Sequence, residues 1–332
     1  MFKYGFIFNA KKLFLRIVRA LKFWVDGLFL QKNIQTKVGK NKAMNFAGRN
    51  WYYSYRELFS IGTEKKFNKA SNDIASRYAL LTKSWNEDLN SQWTSRTYLS
   101  TKMILNATVL LKQREFAQES NLRVVVPYLE YYAVLSLLRG VVFMLPDKDW
   151  EDGKLIEISH AKAISLTCDW IAKFDQEKAK EVKSFCNQLK AQRELISYKA
   201  PASGDANLGF DYDIEYFATL LAEVAQFNSE LLESSVKKNT SKDDHVLLNK
   251  HAEQVCNIEI EGFEFHDGED SHRMDYVRRK QPHPLNLELF MTEGQVEDFI
   301  GAWDADDYEE GSEEQMFYSG SPSSWQDIFD VP

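Results

Sequence analysis

Three cysteines, Cys168, Cys186 and Cys256, are too few and too widely spaced for a disulfide framework or a CxxC zinc site, so the sequence points to a reducing compartment and a cytoplasmic protein. Each is expected to be a buried spectator thiol. Proline and glycine are also scarce, at seven and fifteen in 332 residues, which disfavours a turn-rich sandwich. Walker, GxSxG, GxGxxG and HExxH motifs are missing, so the common nucleotide-hydrolysis and hydrolase readings have no motif behind them, and no cofactor is called for. Beyond Lys280 there is no lysine or arginine at all.

What is present is a chain that can build a core. Hydrophobic residues make up 44% of it, and its length suggests about two domains. Leu, Ala, Lys, Glu and Gln are abundant, which favours helices. The net charge of −8 conceals a polarity along the chain. Ten Lys or Arg fall between Met1 and Lys42 against the single acid Asp26, whereas thirteen acids fall between Glu288 and Pro332. The two ends should attract each other or opposite partners.

The N-terminal run "FIFNAKKLFLRIVRALKFWVDGLFL" spaces Leu13, Ile17, Leu21, Trp24 and Leu28 as a helical stripe, with Lys11, Lys12, Arg16, Arg19 and Lys22 around it. Its charges interrupt any apolar stretch of the ~18 residues that a membrane-spanning helix needs. It also lacks the small-residue cleavage site of a signal peptide. A basic amphipathic helix of this kind docks on its own protein, on a membrane surface through residues 2–30, or on a partner helix. The opposite end, "WDADDYEEGSEEQMFYSGSPSSWQDIFDVP", mixes acids with Trp303, Tyr308, Phe317, Tyr318, Trp325 and Phe329. It reads as a solvated terminus, or as a tail that masks a basic site in its own chain or in a protein partner.

Between the ends, residues 64–90, 95–118, 127–145, 158–173 and 176–199 carry apolar residues three or four apart and are expected to be successive helices of an antiparallel bundle. Residues 212–236 give another long helix, which the flexible "APASGDANLG" would let pack as an addition to the bundle. Further on, "NIEIEGFEF", "RMDYVRR" and "LNLELF" alternate in period two and predict a small antiparallel sheet. "TEGQVEDFIGAW" predicts a short helix with Thr292 and Gln295 at capping-box spacing. The expected fold is therefore mainly α: an antiparallel helical bundle with a small C-terminal antiparallel β element and an acidic tail. Its divisions fall at 1–45 (basic helix and linker), 46–237 (bundle), 238–302 (small α+β element) and 303–332 (tail). No fixed-period repeat occurs, which excludes a solenoid.

Chemistry is suggested by arginines close to apolar stripes. In "YLEYYAVLSLLRGVVFMLP", Tyr128, Tyr132, Leu135, Arg139 and Val142 share a face, so Arg139 needs an acidic or phosphate partner. In the later helix Arg193 borders the stripe of Phe185, Leu189 and Ile196. Two arginines on facing helices would form an anionic-ligand site. The order "EYYAVLSLLRGVV", then a loop histidine, then "RELISY" resembles the HEPN superfamily over roughly residues 95–201. The resemblance implies a helical bundle, often a homodimer with its arginines near the cleft. It also implies a place among RNA or nucleotide binders and metal-independent ribonucleases of prokaryotic defence, toxin–antitoxin and stress systems.

Catalytic members carry Arg, four to six intervening residues, then His. Here Arg193 matches the arginine, but Tyr198, Lys199 and Ala200 stand where the histidine should be. A tyrosine with a pKa near 10 is a poor general base at neutral pH. Five residues of ideal helix also turn Tyr198 about 140° from Arg193, although Pro201 would loosen the helix end and let the ring return. His160, in "EISHAKAI", is the candidate to supply the missing imidazole beside Arg139. The candidate catalytic residues are thus Arg193, Tyr198 and His160, and the candidate ligand-binding residues are Arg139, Tyr132 and Lys199. The structural alternative pairs Arg193 with Glu194 or Asp169 and leaves Tyr198 to cap the bundle.

"FHDGEDSHRMDYVRRKQPHP" gathers His266, Asp267, Glu269, Asp270, His272, Asp275 and His283. Their spacing fits no specific metal motif, and Asp-Gly inside the run reads as a hairpin turn. No metal site is assigned. Two functions remain in play: a HEPN-like RNA or nucleotide binder, or a non-enzymatic helical scaffold that acts through its two charged ends.

Overall fold

The computed structural model describes residues 44–204, 212–290 and 292–303. The basic N-terminal helix and the acidic tail read from the sequence lie outside the described residues, apart from 44–45 and Trp303. Residues 44–45 and 50–54 group as one compact unit, and 46–49 with the residues from 55 onward as another. Strands β1 (Met44–Phe46) and β2 (Arg49–Trp51) form a two-stranded sheet.

The larger unit begins with α1 (Glu57–Ser60) and α2 (Glu64–Lys83), the latter capped by the Thr63 side chain. Helix α3 runs for 33 residues, Glu87–Glu119, from an Asn86 side chain that accepts the Leu89 N–H at 2.9 Å. The helix expected over 64–90 is therefore two helices, and the loop expected before residue 95 is α3. Its "NSQWTSRTYLST" stretch is polar in sequence yet buried. Ser91, Thr94, Thr97 and Thr101 turn their hydroxyls back onto the carbonyls of Glu87, Asn90, Trp93 and Thr97, at 2.6–3.0 Å, which satisfies them inside the core.

Helix α4 (Val126–Phe143) packs most extensively against α3. By length and composition α4 could cross a membrane, but most of it is buried in the protein core. At Gly140 the two helices come close: the Ser100 hydroxyl donates to the Gly140 carbonyl at 2.8 Å, and a β-carbon at position 140 would lie 3.4 Å from the Ser100 carbonyl oxygen. The C-terminal end of α4 is closed by Arg96. This arginine is buried, stacks over Trp93 and donates to the carbonyls of Phe143, Leu145 and Lys148 at 2.6–2.7 Å. It caps a helix terminus with three charge-assisted hydrogen bonds.

A 3-10 segment (Glu151–Glu157) leads into α5 (His160–Ile171) and α6 (Gln176–Lys199), which pack on each other and on α4. Helix α7 (Ile214–Asn239) corrects a second expectation, because it is the centre of the core and not an addition to it. It packs against α1, α2, α3 and α4 and is buried over most of its length. Its polar residues look like a solvated face but are consumed internally. Glu223 accepts the backbone N–H groups of Arg56 and Leu58 at 2.9 and 2.7 Å, a carboxylate cap for the start of α1. Burial raises the Glu223 carboxyl to about 7 against the pull of these bonds.

The remaining elements are α8 (Asn249–Cys256), β3 (Asn257–Ile260), β4 (Phe263–His266), α9 (Gly268–Lys280), α10 (Leu287–Phe290) and α11 (Glu293–Gly301). The hairpin over "NIEIEGFEF" and the Thr292–Gln295 capping box both form. "RMDYVRR" and the last four residues of "LNLELF", expected as strands, are helical. Asp267 is the N-cap of α9 and not part of a hairpin turn: its side chain accepts the Asp270 N–H at 3.0 Å, with acids in the first turn and Arg278, Arg279 and Lys280 in the last. Asn286 donates to Glu233 at 2.9 Å, and the Leu287 N–H donates to the Ser229 hydroxyl at 3.1 Å, so this segment docks on α7 within the same unit.

Candidate functional site

Three helices converge where the sequence placed its arginines. Helix α4 supplies Tyr131, Tyr132 and Arg139, the start of α5 supplies His160, and α6 supplies Lys190 and Arg193. Tyr131 lies at the centre. It is buried, its hydroxyl and His160 Nδ1 share a hydrogen bond of 2.8 Å, and the Arg193 guanidinium stacks 4.7 Å from its ring centroid. Tyr132, 41% exposed, accepts a 3.4 Å hydrogen bond from Arg193 Nη1 at its hydroxyl, and its ring meets the His160 ring edge-on at 6.4 Å.

The two guanidinium groups are incompletely satisfied. Arg139 makes one long hydrogen bond, Nη2 to the Ile158 carbonyl at 3.4 Å, and its buried Nε has no partner. Arg193 pairs with Glu194 at 3.2 Å, as the structural alternative required, yet its Nε is also buried without a partner. Burial pulls the Arg139 pKa down. Burial opposes the Arg193 charge as well, but the hydrogen bond with Tyr132 and the surrounding tyrosines and Glu194 outweigh it and raise that pKa.

Charge and burial act on the imidazole in one direction. Burial is the largest cause, and the cations of Arg139, Arg193 and Lys190 add to it, so the His160 pKa lies below the ordinary histidine value. A neutral ring at physiological pH follows. Burial raises the Tyr131 phenol against the attraction of Arg193, so Tyr131 stays protonated and acts as a dipole. The cluster can therefore bind an anion through guanidinium groups, stack a planar group on Tyr132, and accept a proton at an imidazole.

Of the six sequence candidates, Arg139, Tyr132, His160 and Arg193 come together, whereas Tyr198 and Lys199 do not. Helix α6 remains helical to Lys199, and the chain turns only at Ala200, whose φ is 40°. Tyr198 is 75% exposed and Lys199 is exposed. The loosening expected from Pro201 comes too late to return the Tyr198 ring. Tyr131, at the centre of the cluster, is not among the sequence candidates, whereas its neighbour Tyr132 is. A tyrosine within an apolar stripe needs a partner for its hydroxyl, and that was the available signal. The acids and histidines of 266–283 form no metal centre: among the described residues no group of three His, Cys, Asp or Glu side chains is placed to hold an ion. Asp270 instead takes a 2.6 Å hydrogen bond from Tyr98 and an ion pair from Lys102, and His283 stacks on His245 at 4.6 Å.

Comparison with known proteins finds no matching family model, no matching curated protein and no matching solved structure.

Proposed function

We propose that the face formed by α4, α5 and α6 binds a phosphate-bearing ligand, RNA or a nucleotide, as the HEPN resemblance implies. The observation that carries this reading is the gathering of the Arg139 and Arg193 guanidinium groups about the Tyr131–His160 contact and the exposed Tyr132 ring. A phosphate would give the terminal nitrogens of Arg139 better acceptors than the one long bond to Ile158, and Tyr132 offers an exposed ring for a base. His160 further supports a divergent ribonuclease. With its proton on Nδ1, the ring donates to the Tyr131 oxygen and keeps the Nε2 lone pair to take a proton from a ribose 2′-hydroxyl. The arginines would then stabilise the charge that develops on the phosphorus oxygens, without a metal. In this reading His160 on α5 replaces the histidine that α6 lacks, and Tyr198 has no catalytic role.

The test uses the full chain with a fluorescent single-stranded RNA, and with mixed tRNA and ribosomal RNA in chelator. Arg139→Ala and Arg193→Ala should each weaken RNA binding about tenfold, roughly 1.4 kcal/mol. His160→Ala should abolish cleavage while retaining binding, and Tyr198→Ala should change neither. Cleavage in the native chain should rise with pH as His160 loses its proton, below about pH 6.5, and level off above. RNA binding unmoved by both arginine substitutions would sink the reading. One contact, the Arg193–Glu194 ion pair, favours the rival view of a non-enzymatic scaffold, for which Arg139 is irrelevant to any partner.

A further inference from the structure

The hairpin of β3 and β4 stands apart from the rest of the structure in what it exposes. All eight of its strand residues are exposed, and the register pairs Ile258 with Phe265, Glu259 with Glu264 and Ile260 with Phe263. Alternation then sorts the side chains into an apolar face of Ile258, Ile260, Phe263 and Phe265 and an opposite face carrying Glu259 and Glu264. The connection is the two-residue turn Glu261–Gly262, with φ of 53° and 80°. Positive φ at both positions is the geometry that matches strand twist, and it makes Ile260–Phe263 the hydrogen-bonded closing pair. Glu259 and Glu264 are consequently a non-hydrogen-bonded pair, the arrangement that brings opposed side chains closest and turns their backbone N–H and C=O groups outward.

Three features of this hairpin lack a counterpart within the described residues. A two-stranded sheet is marginal without a third strand or a covering helix. Its apolar face is uncovered, with Phe263 and Phe265 of β4 68% and 56% exposed. Two like charges oppose each other at close range, and among the described residues neither is in an ion pair. One kind of partner supplies all three at once. An extended segment that alternates apolar and basic residues would pair with the outward backbone groups of β4, extend the apolar face, and set a Lys or Arg beside Glu264 on the other.

We propose that β4 is an edge for strand addition, and that its occupant is an extended segment of a protein partner with alternating apolar and basic side chains. A second copy of this hairpin fits worse, since it would bring a further pair of glutamates to the acidic face. A segment with acids at the alternate positions fails for the same reason.

The probe is a fluorescent, end-blocked octapeptide alternating valine and lysine, titrated into the full chain, with a valine–glutamate octapeptide as its counterpart. Saturable binding of the lysine peptide alone is expected. Glu264→Lys should weaken that binding at least tenfold and confer binding of the glutamate peptide. Phe263→Asp should abolish both, with helical content by circular dichroism unchanged. The exchange of preference is a readout that misfolding could not produce. No saturable binding, or binding indifferent to Glu264→Lys, would overturn the proposal. So would a dimer in sedimentation that Phe263→Asp dissolves, because the edge would then belong to a second copy.

Discussion

Two sets of arginines touch helix α4, and they differ in how completely they are used. Arg96 reaches its C-terminal end from α3 and spends its donors on three carbonyls. Arg139 projects from the helix itself, and Arg193 approaches from α6, each with a buried Nε left over. Burial opposes the charge in both environments, bringing Arg96 down to about 9 and lowering Arg139, although at Arg193 the Tyr132 hydrogen bond and neighbouring groups outweigh it and raise the pKa. The difference lies in compensation. Arg96 has backbone acceptors for its guanidinium, whereas Arg139 and Arg193 each keep one buried donor that finds no acceptor among the described residues. Glu223 repeats the first pattern with opposite sign, since both its oxygens are occupied by the backbone at the start of α1.

The comparison is sharpest where its effect is largest. Arg96→Ala strands the carbonyls of Phe143, Leu145 and Lys148 and should cost about 3–5 kcal/mol of stability in urea unfolding. A loss below about 1 kcal/mol would remove Arg96 from the structural class.

Glu223→Gln tests the acidic counterpart through pH. The folded carboxyl, at about 7, lies above its unfolded value near 4.3. Its stabilising contribution is therefore present below that unfolded value and lost as pH rises through about 7. The native chain should lose on the order of 2–3 kcal/mol relative to the glutamine variant between pH 4 and 8. Parallel melting-temperature profiles for the two proteins would contradict this.

Arg139→Met belongs to the other class and should leave stability within about 1 kcal/mol, or raise it, because it removes a partly buried charge that makes no ion pair among the described residues. RNA affinity should fall about tenfold in the same protein. Equal losses of stability from Arg96→Ala and Arg139→Met would erase the distinction. The smallest effect is expected of Glu194→Gln. Removing the one carboxylate that pairs with Arg193 among the described residues should strengthen RNA binding by about twofold to threefold in fluorescence titration.

These contrasts also explain what could be read in advance. Helices α4, α5 and α6 follow the period of their apolar residues, and the hairpin follows strict alternation, so their existence was legible. Polar residues that find partners inside the protein were not. The hydroxyls of Ser91, Thr94, Thr97 and Thr101 satisfy themselves within α3, and its polar start made residues 91–94 look like a connection between two helices. Glu223, Ser229 and Glu233 disguise the central helix α7 as a surface one, because their partners come from residues 56–58 and 286–287. In "RMDYVRR" the alternation is genuine, but the Asp267 cap and the charges at the helix ends prevail over it. At the candidate site Arg139 and Arg193 stood out as charges beside apolar stripes. Tyr198 was favoured by its place in a family pattern, and helix rotation together with the late turn at Ala200 removes it. That His160 on α5 lies beside arginines from α4 and α6 is a fact of packing, which no spacing along the chain encodes.

The contact between Ser100 and Gly140 carries a consequence for how this site can change over generations. Arg139 is the immediate neighbour of a residue whose smallest possible side chain would already touch the opposite helix. Substitutions at Arg139, His160 or Arg193 alter chemistry and leave the helix spacing alone, whereas anything beyond alanine at position 140 would push α3 and α4 apart and carry the whole cluster with them. The helix spacing is thus constrained by packing at position 140, and the chemistry of the cluster is not. The cluster could therefore be rebuilt for a different ligand with the α3–α4 spacing intact, so long as position 140 stays no larger than alanine.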